Sequence, residues 1–211
     1  MASLTDRIAD FFSGNDSSSD EGLRDLFISE LKSIYYVEKK IVDALGEQAD
    51  ASTTDEVRNA FLQHQEESRV QVERLEEIFR IISIATSEHT TAAINGLIDD
   101  AESLISTTET GSLTRDAGLI IAAQKIEHYE IATYGSLLTL ADVLGFDQSA
   151  ELLAKTLEEE KAADHKLTAL AETFVNRRAK DEDNHPGSHH ASREPIVDPQ
   201  MDVTAGGPLG V

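Results

Sequence analysis

Residues 117–141 read AGLIIAAQKIEHYEIATYGSLLTLA, and the reading of this run decides the fold. Apolar side chains recur three and four places apart, at Ala117, Ile120, Ala123, Ile131, Tyr134, Leu138 and Ala141. That is the period of a helix and not of a strand. The run opens near Ser112 and stops at Gly145, a residue suited to ending a helix. It is long enough to span a four-helix bundle.

Working outward, three more stretches show the same period. The first runs from about Glu21 to Gly46 on a stripe of Leu23, Phe27, Ile34, Val37, Ile41 and Ala44 or Leu45, with Gly46 as its expected C-cap. The second follows the N-capping run Ser52-Thr53-Thr54-Asp55 and carries Val57, Phe61, Leu75, Ile78 and Ile82 to about Ala85. The last, from about Gln148, uses Ala150, Leu153, Leu157, Leu167, Ala171 and Phe174. Short links around Asp50 and around Phe146-Asp147 predict two antiparallel hairpins. The stretch from Ser87 to Gly111 is much longer and holds a shorter amphipathic pattern at Ala93, Leu97, Leu104 and Ile105. The expected fold is therefore all-α, a ferritin-like four-helix bundle with one long crossover containing an additional short helix.

The expected domain is residues 21–178. Residues 1–20 read as a short amphipathic segment, with Ser3 as cap and Leu4, Ile8, Phe11 and Phe12 on one face, followed by a Ser-rich linker. Residues 179–211 read as a disordered acidic tail whose His185, His189 and His190 have no defined role.

The chain has 18 Lys+Arg against 40 Asp+Glu, a net charge of −22, which excludes the basic face that nucleic acid requires. Such an acidic excess suits a salt-rich cytoplasm, where screening relieves self-repulsion. There is no Cys, so thiolate zinc sites, iron–sulfur clusters and cysteine nucleophiles are excluded together. No apolar run approaches the roughly 18 residues of a membrane span, and a cytoplasmic location is expected.

Continuing each stripe without skipping a step brings polar residues into the core. Helix one lands on Glu30; helix two passes through His64, Glu67 and Gln71. The third long helix meets Glu127 and Glu130 one turn apart, and the fourth meets Glu160 and Asp164. Equal chain distances from the connecting turns put these groups at one level of the bundle. Bare charges there would each cost several kcal/mol, so two divalent cations bound by Glu30, His64, Glu67, Glu127, Glu130, Glu160 and Asp164 are the expected remedy. A hydrogen-bonded polar core without metal is the rival reading, because a single Glu on a stripe commonly snorkels to solvent. Tyr134 and Gln71 are candidate outer hydrogen-bonding groups. Glu38, Glu66, Glu159, His128 and His165 stand one step off the stripes and read as solvated, with Glu159 the reserve ligand. Tyr35 and Tyr36 are expected at a helix or subunit interface.

The blocks Leu23-Arg24-Asp25-Leu26…Glu30-Leu31…Glu38-Lys39, His64…Glu67…Gln71…Arg74-Leu75-Glu76…Phe79, Ile126-Glu127-His128-Tyr129-Glu130-Ile131-Ala132…Tyr134-Gly135 and Thr156-Leu157-Glu158-Glu159-Glu160-Lys161…Asp164 resemble the YciE/YciF family of stress-associated ferritin-like proteins. The resemblance covers roughly residues 21–175. It implies a homodimeric ferritin-like bundle related to rubrerythrin, with ferroxidase-type chemistry. Against the ferritin-like di-iron pattern, Glu30 matches the single first-helix Glu, and Glu127 and Glu130 resemble rubrerythrin's paired carboxylates. The chain departs in having His64-x-x-Glu67 in place of Glu-x-x-His, and Asp164 one turn after Glu160 with no His in register. An oxygen-rich donor set favours harder ions, with iron expected ahead of manganese. Dioxygen or hydrogen peroxide is the expected small-molecule substrate, with electrons from Fe(II) or a separate donor because no cysteine relay is present. A non-catalytic dimeric stress protein is the alternative.

Overall fold

A computed structural model describes residues 22–184. Among them there is no strand. Helix α1 spans Leu23–Ala51, α2 Asp55–Ile81, α3 Ala92–Thr107, α4 Leu113–Leu144 and α5 Asp147–Leu170. One π-helical stretch, Ala171–Val175, joins α5 to α6, Asn176–Asn184. The hairpins α1–α2 and α4–α5 pack face to face, α2 against α5 and α1 against α4, while α3 crosses the outside of α4. This is the expected ferritin-like bundle with a helical crossover.

Local chemistry accounts for the boundaries. The Thr54 side chain caps α2 by accepting from the Val57 amide, and Ser112 caps α4 by accepting from Arg115. Gly145 ends α4 in the left-handed region at φ 72°, as its position suggested. Adjacent residues at the start of α4 then fix two connections. The buried Asp116 carboxylate accepts from the Thr53 amide at 2.7 Å, the Thr54 amide at 2.9 Å and the Thr54 hydroxyl at 2.7 Å. Arg115 Nη2 donates to the Ile105 carbonyl at 2.9 Å and to the Thr108 carbonyl at 2.6 Å, satisfying the end of α3.

Three boundaries differ from the sequence reading. Helix α1 does not stop at Gly46 but continues to Ala51, burying Gln48 and Ala49. Gly46 serves close packing instead: a Cβ there would meet Gln65 Nε2 at 2.8 Å, and that same nitrogen donates to the Val42 carbonyl at 2.7 Å. The crossover helix turns Ile94 and Ala101 inward, while Ala93 is exposed. At the far end helix continues to Asn184, past the boundary expected after residue 178, because Val175 and Ala179 are buried and Glu182 accepts from the Leu113 amide at 2.8 Å. The expected N-terminal segment, residues 1–20, and the tail histidines His185, His189 and His190 lie outside the described residues.

The core is built by Phe27, Leu31, Ile34, Phe61, Leu75, Phe79, Leu119, Ile120, Leu137 and Leu153, all buried. Each large side chain contributes about 1.5–3 kcal/mol by leaving water. Helix α4 is apolar around much of its girth because α1, α3 and α5 all press on it. Among the described residues no helix is long and apolar enough to cross a membrane.

Candidate metal centre

Polar side chains meet at one level inside this apolar frame. His64 of α2, Glu127 and Glu130 of α4 and Glu160 of α5 are buried, and one ligand atom from each lies within 4.8 Å of the others. Glu127 and Glu130 share a face because they are one turn apart; α2 and α5 present His64 and Glu160 from across the bundle. His64 Nε2 stands 3.1 Å from Glu127 Oε1 and 3.7 Å from Glu160 Oε2. The α1 contribution is Glu38, fully buried, whose Oε1 accepts a short hydrogen bond from the Tyr134 hydroxyl.

Burial pushes the Glu38 carboxyl up to about 7, against the opposing influence of the Tyr134 hydrogen bond and the His64 charge. Glu130 and Glu160 are held well above the usual carboxylate range, first by burial and then by the charges of neighbouring carboxylates. Burial, the largest single influence, works against a charged His64, yet the carboxylates of Glu127, Glu67 and Glu160 together outweigh it and raise the imidazole well above its ordinary value. Tyr134 is raised too, by burial and then by Glu38.

These groups are starved of partners. Among the described residues, twelve buried side-chain nitrogen and oxygen atoms accept or donate no hydrogen bond. Nine of those twelve belong to Glu38, His64, Gln71, Glu127, Glu130 and Glu160. Buried polar groups are ordinarily satisfied, so a concentration of unmet acceptors around one imidazole marks a place for a cation. Carboxylate oxygens with one imidazole nitrogen form a donor set that suits iron or manganese. The residues present therefore fit a metal.

The structure brings together His64, Glu127, Glu130 and Glu160 from the expected set and separates the others. Glu30 is exposed on the outer side of α1, near Tyr129. The true inward stripe of α1 is Phe27, Leu31, Ile34, Glu38 and Ile41; a stripe begun at Leu23, itself 42% exposed, is rotated away from it. Asp164 lies beyond the cluster, accepting from Gln124 Nε2 at 3.2 Å with His128 Nδ1 3.5 Å away. Glu67 is at the rim, its side chain 38% exposed and its Oε2 3.6 Å from His64 Nδ1. That contact with His64 holds its carboxyl below the usual range. Glu159 is half-buried and paired rather than free in solvent: Arg74 grips it at 2.7 and 3.0 Å, and Gln71 Nε2 donates to it at 3.3 Å. Gln71 is buried and keeps its Oε1 unpartnered. Glu66 and His165 are exposed, as read. Tyr35 and Tyr36 bond within the chain, to Glu76 Oε1 at 2.8 Å and Asn95 Oδ1 at 3.1 Å. Glu38, read from the sequence as solvated, is instead buried, and the buried Arg74 was not singled out; counting from Phe27 by four, three and four reaches Leu31, Ile34 and Glu38.

A small cavity of about 20 Å³, room for one water, leads in beside His64 and Glu127 between α2 and α5, with Glu67 and Lys166 in its lining.

The protein YciF of Escherichia coli K12 is 44% identical over 159 residues, spanning 75% of this chain and 95% of YciF. The crystal structure of that stress protein superposes with a TM-score of 0.71 at 43% identity, over 74% of this chain and 99% of the other. YcfI of Rhodopseudomonas palustris gives 0.68 at 35% identity, over 72% and 97%. A Xanthomonas campestris protein gives 0.60 at 19% identity over 77% and 99%, which shows the shared fold alone. The profile of DUF892, a domain of unknown function, matches residues 22–180, and the chain belongs to that family.

Proposed function

We propose that this chain is a ferritin-like di-metal oxidoreductase of stress protection, acting as a homodimer. The single observation that carries the reading is the buried cluster of His64, Glu127, Glu130 and Glu160 with its unsatisfied donor atoms. Those four, joined by Glu38, would hold the ions, with iron ahead of manganese. Iron held there would supply one electron per Fe(II) oxidised to Fe(III), two in all for the reduction of dioxygen to hydrogen peroxide or of hydrogen peroxide to water. The chain's own residues do the rest. The apolar walls exclude bulk water, which strengthens every charge interaction inside. Glu127 and Glu160 flank His64 Nε2 and keep that nitrogen directed into the cluster, while Nδ1 faces Glu67 at the rim. Glu38, titrating near neutrality and bonded to the Tyr134 hydroxyl, holds a proton at its carboxyl that can be released as positive charge arrives.

The same titration supports a second reading, a non-catalytic dimeric stress protein. Raised carboxyls at Glu38, Glu130 and Glu160 can stay neutral by retaining protons, so the cluster can persist without ions. Elemental analysis of protein purified without chelator separates the two, with Glu127→Ala and Glu160→Ala as controls. Near-stoichiometric metal that both variants lose supports the di-metal reading. Substoichiometric metal unchanged in the variants supports the scaffold. Anaerobic Fe(II) loading followed by oxygen or peroxide then tests turnover, and oxidation no faster than in buffer removes the enzyme assignment. Light scattering tests the dimer.

A further inference from the structure

The cavity beside His64 is more than a packing flaw, because its rim is electrostatically organised. Glu67 stands on α2 with one carboxylate oxygen turned to His64 Nδ1 at 3.6 Å and the other accepting from Gln63 Nε2 at 2.8 Å. Gln63 in turn accepts from the Lys166 ammonium of α5, 103 residues away in sequence. Lys166, Gln63 and Glu67 thus form a polar strap from α5 to α2 at the opening, and Lys166 and Glu67 both line the cavity. The rest of the lining is His64 and Glu127 together with the apolar Ala60, Phe61, Ala163 and Leu167.

Glu67 therefore has one oxygen at the solvent side and one at the cluster, a geometry suited to passing a cation and not to enclosing it. The Lys166 ammonium, held on Gln63 and lining the same cavity, is a positive charge that an incoming cation must pass. We propose that this opening is the entry route for divalent cations, with Glu67 as the relay carboxylate and Lys166 as the competing charge that slows entry. The inference rests on the metal-binding reading and adds to it a route and a gate. The cavity's volume admits a single dehydrating ion or a molecule the size of water or peroxide, and bars an organic reductant from the cluster.

The test is stopped-flow uptake of Mn²⁺ by chelator-treated, full-length protein, with a fluorescent chelator reporting free ion, alongside equilibrium titration. A unit charge at the mouth alters the approach of a divalent ion by about fivefold in rate after screening. Lys166→Met should speed association by about that factor. Glu67→Gln should slow association and dissociation together, leaving affinity within about threefold, whereas Glu127→Gln should lose affinity outright. Both rim variants matching wild-type rates within twofold, while Glu127→Gln loses binding, would overturn the gate and leave the metal centre standing. Lost affinity with an unchanged association rate in Glu67→Gln would make it a ligand and also overturn the relay. No uptake by the wild-type chain would remove the metal centre, and the route with it. Lys166 is exposed, so its variant perturbs no core packing.

Discussion

Replacing Glu38 by Gln in metal-free protein should flatten the pH dependence of stability. In the folded chain burial pushes the Glu38 carboxyl up to about 7, from 4.5 for the group outside the fold. The folded state therefore binds more protons than the unfolded state between those values, and stability falls as pH rises through that window. Integrated from pH 5 to pH 8, this one group withdraws about 2 to 3 kcal/mol, most of what the full displacement is worth. Gln keeps the acceptor that Tyr134 bonds and cannot ionise, so the variant lacks that contribution. Urea unfolding followed by circular dichroism, in EDTA, at half-unit steps of pH measures it. Subtracting the variant's curve from the wild type's cancels titrations elsewhere in the chain. The expected difference grows toward alkaline pH by about 2 to 3 kcal/mol. Parallel curves would refute the reasoning, because they would mean that Glu38 ionises in the fold as it does in water. Saturating Mn²⁺ at a hundred times its Kd should restore about 2.7 kcal/mol to the wild type.

Other expectations follow from single contacts. Asp116→Ala removes the shared acceptor of Thr53 and Thr54 and should cost about 3 kcal/mol in urea unfolding, with the loss centred on the α1–α2 turn by hydrogen exchange. Arg74→Met leaves Glu159 without its fork; because that carboxylate is 29% exposed, the cost should be about 2 kcal/mol, less than for a fully buried pair. Glu30→Ala and Asp164→Ala should leave metal content unchanged in elemental analysis, whereas Glu130→Gln should reduce it. With a net charge of −22, raising KCl from about 0.1 to 2 M should lift Tm by about 5 °C in calorimetry, since screening shortens from ~10 Å to under 3 Å.

Fold was more legible than site, and for a physical reason. Four amphipathic stripes average over many residues, so a local slip does not alter the number or pairing of helices. A ligand depends on one residue's angle. In α1, a first step of three from Phe27 reaches exposed Glu30, while steps of four, three and four reach buried Leu31, Ile34 and Glu38. Both steps are permitted by 3.6 residues per turn. In a chain with 40 acidic residues, carboxylate identity cannot choose between them. In α4 the choice was forced, because Glu127 and Glu130 lie between Ala123 and Tyr134, all of them buried. Asp164 shows the converse error: it extends the α5 stripe correctly but sits a turn beyond Glu160, where Gln124 claims it. The Arg74–Glu159 pair was obscure because a buried guanidinium is recognisable only with its partner, 85 positions distant.

The π turn at Ala171–Val175 carries a consequence of its own. A residue added to a helical turn swings everything beyond it by about 100° about the axis. Here that swing aims the final helix so that Glu182 meets the start of α4 at the Leu113 amide. Docking at this end thus depends on how many residues the turn contains as well as on the buried Val175. Conservative exchanges there should pass unnoticed, whereas excising a single residue would unhook the last helix while leaving every side chain in the bundle intact.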